Sequence, residues 1–174
     1  MELRWYQRES VDHAWGYLAS KQGNPLIVLP TGAGKSIVIA SLVERTIKLG
    51  RRVLALAHRK ELLQQNAAEI ERLLPGVPVG IYSAGLGERE TEADIVCAGI
   101  QSVFRKAGEL GARHLVLIDE AHLVNVNDVG MYRKFLDDLQ QINPKCRVIG
   151  LTATPYRTDD GPLVDDGKIG RAHV

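Results

Sequence analysis

The sequence predicts an α/β domain: a central, mostly parallel sheet with helices on both faces. Three observations predict it. Short, continuous apolar runs recur along the chain, among them Leu26-Ile27-Val28-Leu29 and Leu115-Val116-Leu117-Ile118, and a strand buried on both faces reads as such a run rather than as an alternation. Between the runs lie longer stretches with apolar residues at helical spacing. Finally, a glycine-rich turn joins the first run directly to a helical stretch.

The elements follow in order. Residues 7–20 carry Val11, Ala14, Trp15 and Leu18 at helical spacing, and the turn residues Gly23-Asn24-Pro25 come next. Residues 26–29 form the first strand, and residues 35–49 a helix closed by Gly50. Residues 52–57 are a strand, and 59–74 a long helix stopped by Pro75-Gly76. Strands over 77–82 and 95–98 bracket a polar loop at 83–93, and 115–118 is a further strand. Residues 129–142 form an amphipathic helix with Tyr132, Phe135, Leu136 and Leu139 inward, before a last strand at 147–151. No internal repeat is present.

Composition bounds the function. A chain of 174 residues suits one domain with a sizeable core. The formal net charge of +1 excludes a strongly basic protein that coats nucleic acid, so any such contact must come from local clustering. Cys97 and Cys146 stand alone inside apolar runs, which predicts small buried thiols rather than a metal site or a disulfide framework. Met1-Glu2-Leu3-Arg4-Trp5 has no signal-like apolar region, and no stretch approaches membrane-spanning length. The expectation is a cytoplasmic protein without a membrane partner.

The densest chemical signal is Leu29-Pro30-Thr31-Gly32-Ala33-Gly34-Lys35-Ser36. Glycines let a backbone wrap an anion, and a helix N-terminus adds unpaired donors and the positive end of its dipole. Lys35 can then reach β- and γ-phosphates, and the Ser36 hydroxyl can ligate Mg²⁺. The general phosphate-loop pattern has Gly where Leu29 stands, so the match is to its Gly-Lys-Ser half. The competing reading is an ordinary strand–turn–helix corner, which the two glycines and Lys-Ser together argue against. Far downstream, the run 115–118 ends in Asp119-Glu120-Ala121-His122. Carboxylates at the carboxyl end of such a strand lie where open α/β sheets bind ligands. Asp119 can hold the magnesium shell, and Glu120 can orient and deprotonate an attacking water.

With these residues the chain resembles the first RecA-like motor domain of superfamily 2 helicases, with the motifs in family order. Leu3-Arg4-Trp5-Tyr6-Gln7 resembles the adenine-reading Q-type motif, and Leu29–Ser36 motif I. Ala55-Leu56-Ala57-His58-Arg59-Lys60-Glu61-Leu62 resembles motif Ia, and Gly99-Ile100-Gln101-Ser102-Val103 motif Ib. Asp119-Glu120-Ala121-His122 is similar to motif II in its DEAH spelling, and Leu151-Thr152-Ala153-Thr154-Pro155-Tyr156-Arg157 to motif III. The nearest flavour is that of RadD-type bacterial DNA-repair helicases and type III restriction-subunit ATPases.

The resemblance implies a RecA-like P-loop NTPase domain over 1–157, with ATP and Mg²⁺ as cofactors. It implies nucleotide contacts from Arg4, Gln7, Thr31, Gly32, Ala33, Gly34, Lys35 and Ser36, with Ser36 and Asp119 on Mg²⁺ and Lys35, Asp119 and Glu120 as the catalytic set. The Gln7 amide donates and accepts at once, which suits the adenine edge, and the Arg4 guanidinium can stack or hydrogen-bond there. The family often has Pro where this chain has Trp5; Trp5 and Tyr6 either stack on the base or bury against the first helix. His58, Arg59, Gln101 and Ser102 are expected on a nucleic-acid backbone, DNA rather than RNA, with little sequence specificity. His122, Thr152 and Thr154 are expected to couple the γ-phosphate to that face. The family hydrolyses ATP between two RecA-like domains, so the resemblance implies a second such domain of the same chain as a partner.

Pattern is lost after Arg157, and 168–174 resembles the translation of a sequencing-library adapter. Residues 158–174 are therefore expected to be an irregular tail left by truncation. By itself the chain is expected to bind Mg-ATP weakly, hydrolyse it slowly and unwind nothing. The alternative from a different class is a non-catalytic, standalone P-loop module that binds nucleotide.

Overall fold

The apolar runs become the strands of one sheet. The computed structural model describes residues 2–20, 23–121, 126–154, 156–157, 161–162 and 169–171. Helix α1 (Trp5–Ser20) leads into β1 (Asn24–Val28), α2 (Lys35–Ile47), β2 (Val53–Ala57) and α3 (Lys60–Leu73). Then come β3 (Val79–Ser83), a 3-10 turn at Ala84–Leu86, β4 (Glu88–Arg89), β5 (Ile95–Gly99), and the short helices α4 (Ile100–Val103) and α5 (Ala107–Leu110). β6 (Leu115–Ile118), α6 (Val126–Ile142) and β7 (Arg147–Thr152) follow. The last strands are β8 (Tyr156–Arg157), β9 (Gly161–Pro162) and β10 (Ile169–Arg171).

The strand order is β10-β1-β7-β6-β2-β5-β3-β4. Every pairing in this sheet is parallel except β3 with β4. Parallel pairing has one consequence that decides the site: the carboxyl ends of β1, β7, β6, β2 and β5 lie along a single edge. In each of these five strands the segment that follows carries one of the sequence motifs.

Side chains alternate between two cores. Val53, Ala55 and Ala57 of β2 join Cys97 and Leu117 on the face covered by α1, α2 and α3. Leu54 and Leu56 join Val96, Ile118, Phe135 and Leu139 on the face covered by α4, α5 and α6. Burying side chains of this size contributes about 1.5–3 kcal/mol each, which sets the sheet's register on both faces at once. Tyr132, Phe135 and Leu139 of α6 are buried as expected, and Leu136 packs partly buried beside them.

A buried cation ties the far edge together. Arg113 is fully buried. Its Nε donates to the Leu110 carbonyl at 3.0 Å and its Nη1 to the Ala93 carbonyl at 2.9 Å. Arg52 Nη2 donates to the Thr91 carbonyl at 2.8 Å, so two guanidinium groups pin the turn that feeds β5. Burial, then the neighbouring Arg52, pushes the Arg113 pKa down to about 10, and the group stays charged at neutral pH.

The structure differs from expectation in short elements. Helix α1 starts at Trp5 rather than at residue 7, and α4, α5 and β4 arise where no period is long enough to show in sequence. The irregular tail expected over 158–174 contains two short strands, β9 and β10. β10 pairs with the edge of β1, Asn24 opposite Ile169. Edge pairing is a main-chain interaction and requires no apolar side-chain pattern.

Candidate active site at the carboxyl edge of the sheet

The loop after β1 is built as a cradle. Gly32 and Gly34 have φ of 81° and 79°, and Gly34 caps the N-terminus of α2. That geometry favours residues without Cβ, and at Gly34 a Cβ would also stand 2.5 Å from Gln7 Nε2. Gln7 is 2% exposed. Its Nε2 donates to the Ala33 carbonyl at 2.9 Å, and its Oε1 accepts the Arg4 N–H at 3.0 Å. The Tyr6 hydroxyl donates to the same Ala33 carbonyl at 3.2 Å. The first turn of α1 is thus clasped to the glycine loop, and the Gln7 amide keeps one N–H and one lone pair for a further partner. Trp5 is 76% exposed and meets Tyr6 edge-on, so its burial against the first helix is not observed.

Past β6, Asp119 and Glu120 converge on Lys35. Lys35 Nζ lies 3.2 Å from Asp119 Oδ1 and forms a close ion pair with Glu120 Oε1, joining residues 85 apart in sequence. Asp119 is 6% exposed. Its Oδ1 also accepts the Glu120 N–H at 2.9 Å, and its Oδ2 accepts from Asn66 Nδ2 at 2.9 Å. Glu120 has a φ of 49°. In extended strand, neighbouring side chains point to opposite faces; the left-handed step at Glu120 lets two adjacent carboxylates meet one ammonium group.

The other predicted residues spread along the same edge. Arg59, after β2, precedes the first turn of α3 in extended conformation. It lines a cleft of about 580 Å³ together with Thr31, Glu120, Ala153 and Thr154, so four motif segments share one opening. His58 is half-buried beside it. Gln101 and Ser102 lie on α4, one strand further along, where Gln101 is exposed and Ser102 Oγ accepts the Ala84 N–H at 2.9 Å. Thr152 is buried, and its hydroxyl donates to the Thr154 carbonyl at 2.8 Å and accepts the Thr154 N–H at 3.1 Å. His122 lies outside the described residues. Burial pushes the Cys97 and Cys146 thiols up to about 12 and about 11, which keeps both protonated and inert at neutral pH.

Asn66 is not among the residues to which the sequence points. An Asn inside a helical period carries no local signal, and its link to Asp119 exists only once α3 is packed on the sheet.

The fold and this site define the class: an N-terminal RecA-like domain of the superfamily 2 helicase kind. More particularly, the chain belongs to the family described as type III restriction enzyme, res subunit, whose model matches residues 1–157. It is 33% identical over 162 residues to the DNA 3'-5' translocase XPB2 of Sulfurisphaera tokodaii, covering 92% of this chain and 32% of that protein. Among solved structures, the Pyrococcus furiosus Hef helicase domain matches with a TM-score of 0.72 and 29% identity, over 90% of this chain and 34% of that one. The UvsW helicase of bacteriophage T4 shares the fold, with a TM-score of 0.74 at 20% identity, over 98% of this chain and 59% of that one. The family is one of ATP-dependent helicases and translocases, and its members generally use ATP and Mg²⁺. The chain spans about a quarter to a third of the curated relatives it matches.

Proposed function

We propose that the chain is the ATP-binding half of a motor that hydrolyses Mg-ATP and moves on nucleic acid, DNA in particular. The observation that carries this reading is the convergence of Lys35, Asp119 and Glu120 at the mouth of the glycine loop. In this reading residues 1–157 carry every motif of the first motor domain, and the described residues beyond them add only the edge strand β10 to its sheet. The remainder of a longer chain supplies the second domain and its arginine fingers, which are worth about 10³–10⁵ in rate in related NTPases. The XPB2 relative, 33% identical, is named a DNA translocase and supports DNA, whereas the QP509L relatives of African swine fever virus, 30% identical, are named RNA helicases. Two unpaired, buried cysteines support a reducing, cytoplasmic setting.

The residues present suit Mg²⁺. Ser36 and Asp119 offer hard oxygen donors, and Mg²⁺ commonly takes one or two protein ligands together with substrate phosphates. When bound, Mg²⁺ neutralises phosphate charge and steadies the leaving group. Lys35 pairs with both carboxylates here and can turn its ammonium group to β- and γ-phosphates. Glu120 orients water and takes its proton as the bond to the γ-phosphorus forms and that to the leaving oxygen of ADP breaks. Gln7 and Arg4 meet the base; Gln7 does so through the amide valences that Ala33 and Arg4 leave over. Thr31, Gly32, Ala33 and Gly34 wrap the phosphates. Arg59, with His58, Gln101 and Ser102, faces the nucleic-acid backbone, and Thr152, Thr154 and His122 couple the two.

Single-turnover hydrolysis of Mg-ATP tests the reading. The chain should hydrolyse slowly, and Glu120→Gln should bind nucleotide yet hydrolyse about 10²–10⁴-fold more slowly. Hydrolysis by Glu120→Gln at the parent rate would overturn it.

A further inference from the structure

A carboxylate as buried as Asp119 must have its lone pairs engaged, and the partners fix its orientation. Its Oδ1 faces the Glu120 N–H and Lys35 Nζ, both from the segments already read as phosphate machinery. Its Oδ2 accepts from Asn66 Nδ2 at 2.9 Å. Asn66 comes from a different element, α3, where Leu63, Ala67 and Ile70 are buried around it. Asn is a mediocre helix former whose amide competes with the backbone, so helix propensity gives no reason for it mid-helix. Its chemistry suits the carboxylate. A neutral amide donates a hydrogen bond to one oxygen and leaves the full negative charge available, whereas a Lys or Arg there would neutralise it.

We infer that Asn66 is a positioning residue for the divalent cation: its side-chain amide holds the Asp119 carboxylate in a single orientation, so that Mg²⁺ meets a preorganised ligand. The inference rests on the reading of this edge as a Mg-ATP site and assigns to it a residue on the helix that begins beside Arg59. Helix α3 then joins the edge facing nucleic acid to the metal carboxylate through one side chain, six residues in from Lys60.

Outer partners of metal ligands typically contribute about 10–100-fold in metal affinity. The test is a Mg²⁺ titration of the chain with a fluorescent ATP analogue, run beside binding of the analogue in EDTA. Asn66→Ala should move the Mg²⁺ midpoint up by about 10–100-fold and leave the EDTA affinity unchanged. Asn66→Leu, which keeps the branched outline of the side chain and fills the site without a donor, should do the same, so a packing loss in the alanine variant does not decide the outcome. An unchanged Mg²⁺ midpoint in both variants overturns the inference. Equal losses with and without Mg²⁺ also overturn it, because they signal a merely structural role. A parent chain whose nucleotide affinity ignores Mg²⁺ overturns the reading of the site itself, and this inference with it.

Discussion

Glu120 combines a proposed chemical role with a backbone that resists it. Its φ of 49° lies in the left-handed region, and it is the one non-glycine residue there among those described. Such a conformation costs on the order of 1–3 kcal/mol and persists where surrounding contacts over-determine it. Here the Glu120 N–H is held by Asp119 and its carboxylate by Lys35. Glu120→Gly should therefore be more stable than Glu120→Ala by about 1 kcal/mol, because only glycine relieves the backbone. Urea midpoints of the two variants measure this, and equal midpoints would show that the strain is not stored at this residue. Lys35, Asp119 and Glu120, which the structure brings together, stand out in sequence because each sits in a short motif of adjacent letters. Asn66 does not, and neither does the clasp of Gln7 on Ala33, because both bonds join segments that meet only in the packed domain.

At the scale of elements, runs buried on both faces announced the central strands to within a few residues. The short helices α4 and α5 and the edge strands were silent, being shorter than any period. One element junction has a pH dependence. The Arg52 N–H donates to His114 Nδ1 at 3.1 Å, a bond that requires a neutral ring. Burial first, then Arg51, Arg52 and Arg113, hold the His114 pKa below its usual 6.5. Since the folded value is depressed, its stabilising share is complete above the unfolded value and is lost as pH falls through the folded one. Stability should therefore decline on acidification below about pH 6.5, and His114→Gln should flatten that decline. Chemical denaturation between neutral and mildly acidic pH checks it; parallel profiles for parent and variant would contradict the assignment. Cys97 acts with the opposite sign, since its raised pKa makes stability fall as pH rises from 9.0 toward about 12.

At the scale of the molecule, the parallel order turns distant motifs into neighbours. Residues after β1, β7, β6, β2 and β5 meet on one edge because the strands between them run in the same direction. The fold class was legible for the same reason: strand and helix alternate, and each strand is long enough to be covered on both faces. The pairing of β10 with β1 was not, since it depends on backbone alone. If Arg59 meets a nucleic-acid backbone, Arg59→Ala should weaken binding to unrelated DNA sequences by similar factors. Fluorescence anisotropy with several duplexes measures it, and a loss confined to one sequence would point to base reading instead.

In the proposed function Lys35 and the two carboxylates it bridges form a nucleotide phosphate site. Equilibrium binding of Mg-ATP to the parent chain and to Lys35→Ala tests it most directly, with the fold of the variant checked by circular dichroism. The parent should bind saturably and Lys35→Ala should lose about 10-fold or more in affinity, the scale of a hydrogen-bonded charge removed from a phosphate. A folded Lys35→Ala chain that binds Mg-ATP as tightly as the parent would contradict it.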